Sequence, residues 1–290
     1  MDLTEELKKY LSIYRGICDF NSELWIEQKC KALASYFTDN GLSGCVISVS
    51  GGVDSAVTLA LCLKAKKLYP NIIKSVVSIS QPIHSSAWSY LRAQELCEKF
   101  ETPLHIINQT PLFDQLHDLV DTSLEIIGEN YATGQLKSYM RTPINYYVAQ
   151  LMTQKGFPSV VMGTGNKDED GFLAYFCKAG DGIVDIQLIS DLHKSQVFEI
   201  GKKLGVPESI LSAEPSADLW EGQTDEQELG FTYEFIELYT GYYLTMTNDK
   251  REEFIESLDM ESKDLFLKWS QKSNLVHEKN KHKLKGVINL

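Results

Sequence analysis

The run Cys45-Val46-Ile47-Ser48-Val49 passes directly into Ser50-Gly51-Gly52-Val53-Asp54-Ser55, and a segment of helical period follows at once. A buried strand that feeds a two-glycine turn and then a helix is one half of a crossover unit, which commits the chain to parallel strand pairing nearby. The rest of the sequence repeats the alternation. Helical period is read over Glu23–Asp39, Ser55–Leu68, Ser89–Phe100, Leu112–Ile127 and Gly134–Lys155. Strand runs are read at Gly44–Val49, Ile73–Ile79, Leu104–Ile107 and Ser159–Gly163. The predicted fold class is therefore α/β, a three-layer sandwich with a mostly parallel central sheet flanked by helices. No repeat, low-complexity tract or Pro/Gly/Ser-rich linker divides the chain, so residues 1–290 are read as a single domain.

In such a sheet, ligands sit beyond the carboxyl ends of the strands, and two glycine-bearing loops fall there, 50–55 and 163–169. In the first, two glycines allow close backbone approach, while successive N–H groups at a helix N-terminus present positive potential to phosphate. Ser50 and Ser55 add hydroxyls, and Asp54 beside a polyanion makes sense as a ligand of Mg²⁺. The competing reading is a tight turn with Asp54 as a helix-start carboxylate. There is no G-x-x-x-x-G-K-[ST], which excludes an ordinary P-loop NTPase. Gly163-Thr164-Gly165 has Asp168 where a third dinucleotide-binding glycine would stand, which argues against a hydride-transfer enzyme.

With 28 basic and 40 acidic residues the net charge is −12, which disfavours nucleic acid as partner. Six cysteines without a C-x-x-C pair, a charged N-terminus and no long uncharged apolar run predict reduced thiols, no membrane span and a cytoplasmic location.

At S-G-G-V-D-S the sequence resembles the N-type ATP pyrophosphatases. Further segments narrow the resemblance to NAD synthetases: Gly134–Arg141 (G-Q-L-K-S-Y-M-R), Gly163–Glu169 (G-T-G-N-K-D-E), Tyr175–Ile186 (Y-F-C-K-A-G-D-G-I-V-D-I), Asp191–Val197 (D-L-H-K-S-Q-V), Leu204–Pro207, Pro215–Leu219, Gly222–Gly230 and the late His282-Lys283. The resemblance implies an adenine nucleotide α-hydrolase-like fold. It also implies ATP-dependent adenylation of nicotinic acid adenine dinucleotide, displacement of AMP by ammonia, Mg²⁺, and a homodimer with helix 144–152, bearing Tyr146 and Tyr147, at its interface. It casts Asp54 and Glu169 as metal ligands, and Asp54, Lys194 and Asp185 as catalytic residues. Ser50, Gly51, Gly52, Val53, Asp54, Ser55, Thr164, Lys194 and Ser216 would hold ATP and pyrophosphate. Arg141, Tyr175, Lys178, Asp181, Asp185, Glu228, His282 and Lys283 would contact the dinucleotide. Segment 212–228 would be a mobile loop over the nucleotides, since an exposed acyl adenylate hydrolyses.

Each assignment has a plainer rival: Lys194 as an exposed helix-start lysine, Arg141 in a surface ion pair, Glu228 on a solvated face, Tyr175 or Phe176 as core. The chain also departs from the family pattern. Tyr139 stands where an arginine is usual, and Ser80-Gln81-Pro82-Ile83-His84-Ser85 lacks an arginine often found near the adenine. These departures keep open a related adenylating amide ligase acting on another carboxylate. About fifty residues precede the phosphate loop and Asp2 follows Met1, so no glutaminase domain is expected and ammonia is the expected nitrogen source.

Overall fold

The computed structural model describes residues 2–289 apart from 217, 219–221 and 223. Its centre is a five-stranded sheet: β1 (Gly44–Ser48), β2 (Ser75–Ser80), β3 (Leu104–Ile106), β4 (Ser159–Gly163) and β5 (Ile186–Gln187). The order is β3-β2-β1-β4-β5 and every pair is parallel, so the expected architecture is present. β1 lies in the middle, with Gly44 opposite Ser75 on one side and Ser159 on the other.

Period-two geometry splits the β1 side chains between two cores. Cys45, Ile47 and Val49 join the apolar cluster beneath α2 (Ser22–Asn40), α3 (Val53–Leu68) and α4 (Ala87–Lys99), whereas Val46 meets Ala149 and Ile144 of α6 (Asn130–Gln154) on the opposite face. Because α3 is wedged between sheet, α2 and α7 (Lys194–Leu204), it buries residues around most of its circumference. A second core lies under the C-terminal helices α10 (Tyr233–Ile236), α11 (Asn248–Ser257) and α12 (Met260–Asn280). There Phe231, Phe235, Phe254, Phe266 and Trp269 pack with Leu3, Leu7 and Leu11 on and before α1 (Glu5–Cys18).

Several boundaries moved from the sequence reading. β2 starts at Ser75 rather than Ile73, because the Ile73 amide is drawn back to the Tyr69 carbonyl at the end of α3. Helix α5 runs over Thr110–Leu124 instead of 112–127; Pro111 suits its first turn, and Glu125 at φ 54° closes it. Helix α6 begins at Asn130, four residues before the expected start, and continues through Pro143. Tyr175 and Phe176, read as strand or turn, lie in irregular chain ahead of a turn.

Candidate active site

The phosphate loop is built as its composition suggests. Gly51 sits at φ 84°, and a Cβ there would stand 2.3 Å from the Ser89 carbonyl oxygen at the start of α4. Ser55 ties the turn together: its Oγ accepts the Ser50 amide at 3.2 Å and donates to the Gly52 carbonyl at 3.0 Å. Among the described residues no side chain caps the N-terminus of α3, which suits its first N–H groups to a ligand.

Asp54, in the first turn of α3, is held from two other pieces of chain. Lys194 opens α7, yet it is only 4% exposed. Its Nζ donates to Asp54 Oδ2 at 2.6 Å and to Glu169 Oε1 at 2.7 Å. The exposed-lysine reading is thereby corrected: the helix start is right, but the side chain turns inward to two carboxylates. Glu169 comes from a π-helical turn, Lys167–Leu173, just after β4. Asn166 sets that turn by accepting the Asp168 and Glu169 amides at 3.0 Å each, and it donates Nδ2 to Asp54 Oδ1 at 2.9 Å. The Tyr233 hydroxyl lies 2.7 Å from Glu169 Oε1 and 3.0 Å from Asp225 Oδ2.

Two carboxylates thus hold one ammonium, and a third, Asp225, joins them through the Tyr233 hydroxyl. Burial pushes the Asp54 carboxyl up against the pull of Lys194. Burial acts on Glu169 in the same sense, but the Lys194 charge and hydrogen bonds from Lys194 and Tyr233 hold it below its ordinary range. On Lys194, burial is outweighed by Asp54 and Glu169, and its ammonium is stabilised. Asp225 is pushed up to about 7, first by burial and then by the charge of Glu169, and its Oδ1 is buried without a hydrogen-bond partner among the described residues.

A raised carboxyl means that the folded chain holds the proton more tightly than the unfolded chain, so stability falls as pH rises from about 4 to 7 and stays lower above. Asp225→Asn is therefore expected to stabilise the unliganded protein at pH 8 by about 1–3 kcal/mol and to leave it unchanged near pH 4. Thermal melts of both proteins at the two pH values check this, and equal midpoints at pH 8 would rule it out.

The carboxylates, Lys194 and the phosphate loop line a cavity of about 470 Å³, to which Thr164, Arg141, Ser216 and Lys283 also contribute. Arg141 forms no ion pair or hydrogen bond among the described residues, so the surface ion pair is not found; burial lowers its pKa, with Asp181 and Asp218 opposing. Tyr175 donates to Glu228 Oε2 at 2.6 Å and both line the cavity, so Glu228 is not merely a solvated face; Tyr175 also packs, part-buried, against the second core. Asp181 accepts from Ser138 Oγ at 3.0 Å and from the Cys177 amide at 2.9 Å at the cavity wall. Lys283 donates to the Ala174 and Phe176 carbonyls.

Four expected residues do not line the cavity: Gly51, whose place in the phosphate loop is against Ser89 of α4, and three that are held elsewhere. Asp185 accepts the Val161 amide at 2.8 Å and stabilises the sheet beside β4. Lys178 is exposed and donates to the Lys285 carbonyl at 2.8 Å, and His282 is exposed against the Lys279 carbonyl. Of segment 212–228, residues 217, 219–221 and 223 lie outside the described residues, and its last part forms α9 (Asp225–Leu229) instead of loop. Gln81 does not face the cavity around Lys194; it is buried, donating to Ser48 Oγ at 2.8 Å and Asn145 Oδ1 at 2.6 Å.

The sequence model of the family described as NAD synthase matches residues 25–286. The chain belongs to the NAD synthase family. It is 41% identical over 199 residues to the NH(3)-dependent NAD(+) synthetase of Methanococcoides burtonii, covering 68% of this chain and 70% of that one. It is 37% identical over 217 residues to the enzyme of the same name from Syntrophomonas wolfei, covering 74% and 80%. Among solved structures it is similar to the NMN synthetase from Francisella tularensis, with a TM-score of 0.75 and 28% identity over 93% of this chain and 99% of that one. The NH3-dependent NAD synthetase from Campylobacter jejuni shares the fold at a TM-score of 0.68 and 20% identity, over 93% and 99%.

For this NAD synthase family member, the motif reading missed the residues that set the site without being its obvious chemistry. Asn166, Asp168 and His193 sit inside the family motifs but carry no pattern that marks them as internal braces; Asp225 reaches the cluster from within the segment expected to be a mobile loop, and Tyr233 from after it. A buried polar residue is silent in a single sequence until its neighbours are known.

Proposed function

We propose that this chain makes NAD by amidating nicotinic acid adenine dinucleotide with ammonia at the expense of ATP. A carboxylate oxygen of the substrate attacks the α-phosphorus of ATP and pyrophosphate leaves; ammonia then adds to the acyl carbon and AMP leaves, with one proton lost from nitrogen. The observation that carries the reading is Lys194 Nζ between Asp54 and Glu169 at the mouth of the two-glycine loop. That ammonium, the free N–H groups at the start of α3 and the Ser50 and Ser55 hydroxyls would receive the charge of the departing pyrophosphate. Thr164 and Ser216 add hydroxyls from the cavity wall, and Arg141 is a cation without a protein partner among the described residues, suited to an anionic part of the substrate. Tyr175 and Lys283 offer a ring and a cation at the dinucleotide end.

The donor set fits Mg²⁺. Three carboxylates, Asp225 buried and Asp54 and Glu169 part-buried, against one ammonium leave net negative charge, and Asp225 Oδ1 is an unsatisfied hard oxygen among the described residues. No cluster of three or more acidic, His or Cys ligands forms a complete cage among the described residues. Asp54 and Glu169 would accordingly hold the ion together with phosphate oxygens and water, as suits a cation that rarely sheds its whole hydration shell. When bound, Mg²⁺ supplies charge neutralisation to the leaving pyrophosphate.

We further infer a homodimer. Leu119, Leu124 and Ile127 on and after α5, and Tyr147 on α6, are between 62% and 87% exposed, apolar side chains that a partner subunit would cover. Tyr146, read with Tyr147 at the interface, donates to Asp185 at 3.3 Å. Light scattering at twice the mass of 32.8 kDa supports the dimer, and a monomer at micromolar concentration refutes it. All six cysteines are free and five are buried, and no helix among the described residues is long and apolar enough to cross a membrane; both suit the cytoplasm.

The likeness to an NMN synthetase, at the higher identity of the two structural comparisons given, favours one second reading: the mononucleotide as the carboxylate. The purified protein is to be assayed with ATP, Mg²⁺ and each nicotinate nucleotide in turn, with ammonium or glutamine. NAD formed with ammonium but not glutamine is the expected result. Amide formed from the mononucleotide alone moves the substrate to the second reading. Failure with both, while ATP is still bound, removes the amidation reading.

A further inference from the structure

The family match begins at residue 25, so α1 lies ahead of it, yet a side chain of α1 reaches within two residue contacts of Lys194. Leu7 and Leu11 fix α1 onto the C-terminal core, and Arg15 locks its register with paired hydrogen bonds to Glu237 at 2.9 and 2.6 Å. Tyr14, one turn beyond Leu11 on the same face, points under the C-terminal helices to His193. The passage is specific: a Cβ on Gly241 would come within 2.3 Å of the Tyr14 ring, so the glycine leaves the corridor through which the phenol runs. The Tyr14 hydroxyl ends 3.1 Å from His193 Nε2, with the two rings edge to face at 85°.

His193 is the residue before α7 and is almost wholly buried. Its Nδ1 lies 2.7 Å from Asp168 Oδ1, and the other oxygen of Asp168 accepts the backbone amide of Lys194 at 2.8 Å. Asp168 spends both oxygens as acceptors, so Nδ1 carries the proton between them and Nε2 is left as an acceptor. The Tyr14 hydroxyl, 3.1 Å away, and the Lys167 ammonium, 3.0 Å away, share that lone pair as donors. The chain of contacts runs Tyr14, His193, Asp168, Lys194 amide, and ends at the N-terminal residue of α7 whose ammonium bridges Asp54 and Glu169.

We propose that Tyr14 is a positioning residue for Lys194: its hydroxyl holds the His193 ring, which with Asp168 fixes the start of α7 so that the ammonium meets the leaving group in the transition state. It touches no reacting atom. The inference rests on the role given to Lys194 in the proposed amidation. Tyr14→Phe keeps the ring in its corridor over Gly241 and removes the hydroxyl that meets His193 and Cys18. The expected results are a kcat lowered about five- to tenfold, the consequence of one buried hydrogen bond lost behind a group that acts in the transition state, and KM values for ATP and the nicotinate substrate within about twofold.

Hydrogen exchange supplies a readout independent of catalysis. The Lys194 amide, in a peptide spanning 191–198, is expected to exchange about fivefold faster in Tyr14→Phe, while peptides from β1 and α12 stay unchanged. Exchange at 191–198 equal to that of the original protein overturns the proposal, whether or not the chain proves active. Faster local exchange with kcat unchanged overturns the catalytic consequence, and so does a rise in KM at constant kcat. If no substrate is amidated by the original protein, the amidation reading fails by that control, and the exchange comparison still decides whether Tyr14 holds the start of α7. His193→Gln serves as the second variant: combined with Tyr14→Phe it is expected to cost no more than His193→Gln alone, whereas additive losses refute a shared path.

Discussion

Lys194→Met is expected to lower kcat about 1,000-fold, the upper range for removing a preorganised electrostatic partner of a developing anion. The methionine chain fills most of the lysine's space, so the loss reports charge rather than volume. The same substitution leaves Asp54 and Glu169, both now within 2.7 Å of one ammonium, facing each other without it. Breaking a buried ion pair by removing one partner costs about 3–5 kcal/mol, and two close carboxylates cannot both ionise freely. The variant should accordingly melt lower than the original protein at pH 8 and recover part of the difference near pH 5, where the pair can take up a proton. Steady-state kinetics and melts at both pH values test the two halves separately. Activity within tenfold of the original would remove Lys194 from the chemistry, and a pH-independent deficit in stability would mean that the ion triad is not what the lysine stabilises.

Gly51→Ala is expected to cost about 2–3 kcal/mol of stability and to lower kcat/KM for ATP at least about 100-fold. The positive φ of 84° is itself unfavourable for a residue with a Cβ, by about 1–2 kcal/mol. The more severe effect is the 2.3 Å approach to the Ser89 carbonyl oxygen, a backbone atom in the first turns of α4 that has no rotamer to give. Loop and α4 must separate, and the N–H groups aimed at the phosphates turn with the loop; a displacement of about 1 Å is enough for such a loss. Gly52→Ala supplies the contrast, because there a Cβ meets only the Ser50 hydroxyl at 3.4 Å and φ is −89°. Its stability is expected to change by less than about 1 kcal/mol. Calorimetric titration with ATP and denaturant melts of the two variants check this, and equal behaviour would show that the close approach to Ser89 is not what requires a glycine at 51.

The sheet and the phosphate loop were legible in the sequence because both are written in local patterns. A strand such as Gly44–Ser48 shows as an uninterrupted apolar run when both faces are covered, and a glycine shows where φ turns positive or a backbone comes close. Asp54, Glu169 and Lys194 were recognisable for a related reason: each sits at a loop or helix start next to residues of fixed type. Boundaries were less legible where a long-range bond decides them, as when the Tyr69 carbonyl takes Ile73 out of β2. Asp185 stood beside the right glycines in the motif, but its carboxylate is claimed by the Val161 amide of a strand that no local pattern pairs with it.

The sequence by itself determined the alternation of strand and helix, the loop that suits phosphate and the charged residues able to act there, since each follows from periodicity, side-chain chemistry or the freedom of glycine. Only the tertiary structure decided which charges meet. Lys194 became a buried bridge between two carboxylates, Asp225 an acid beside them with one oxygen unpartnered among the described residues, and Tyr14, from a helix with no motif of its own, the far end of a path to the same lysine. Those pairings join residues up to 179 positions apart in the chain, and no property of either partner alone records that folding brings them within hydrogen-bond distance.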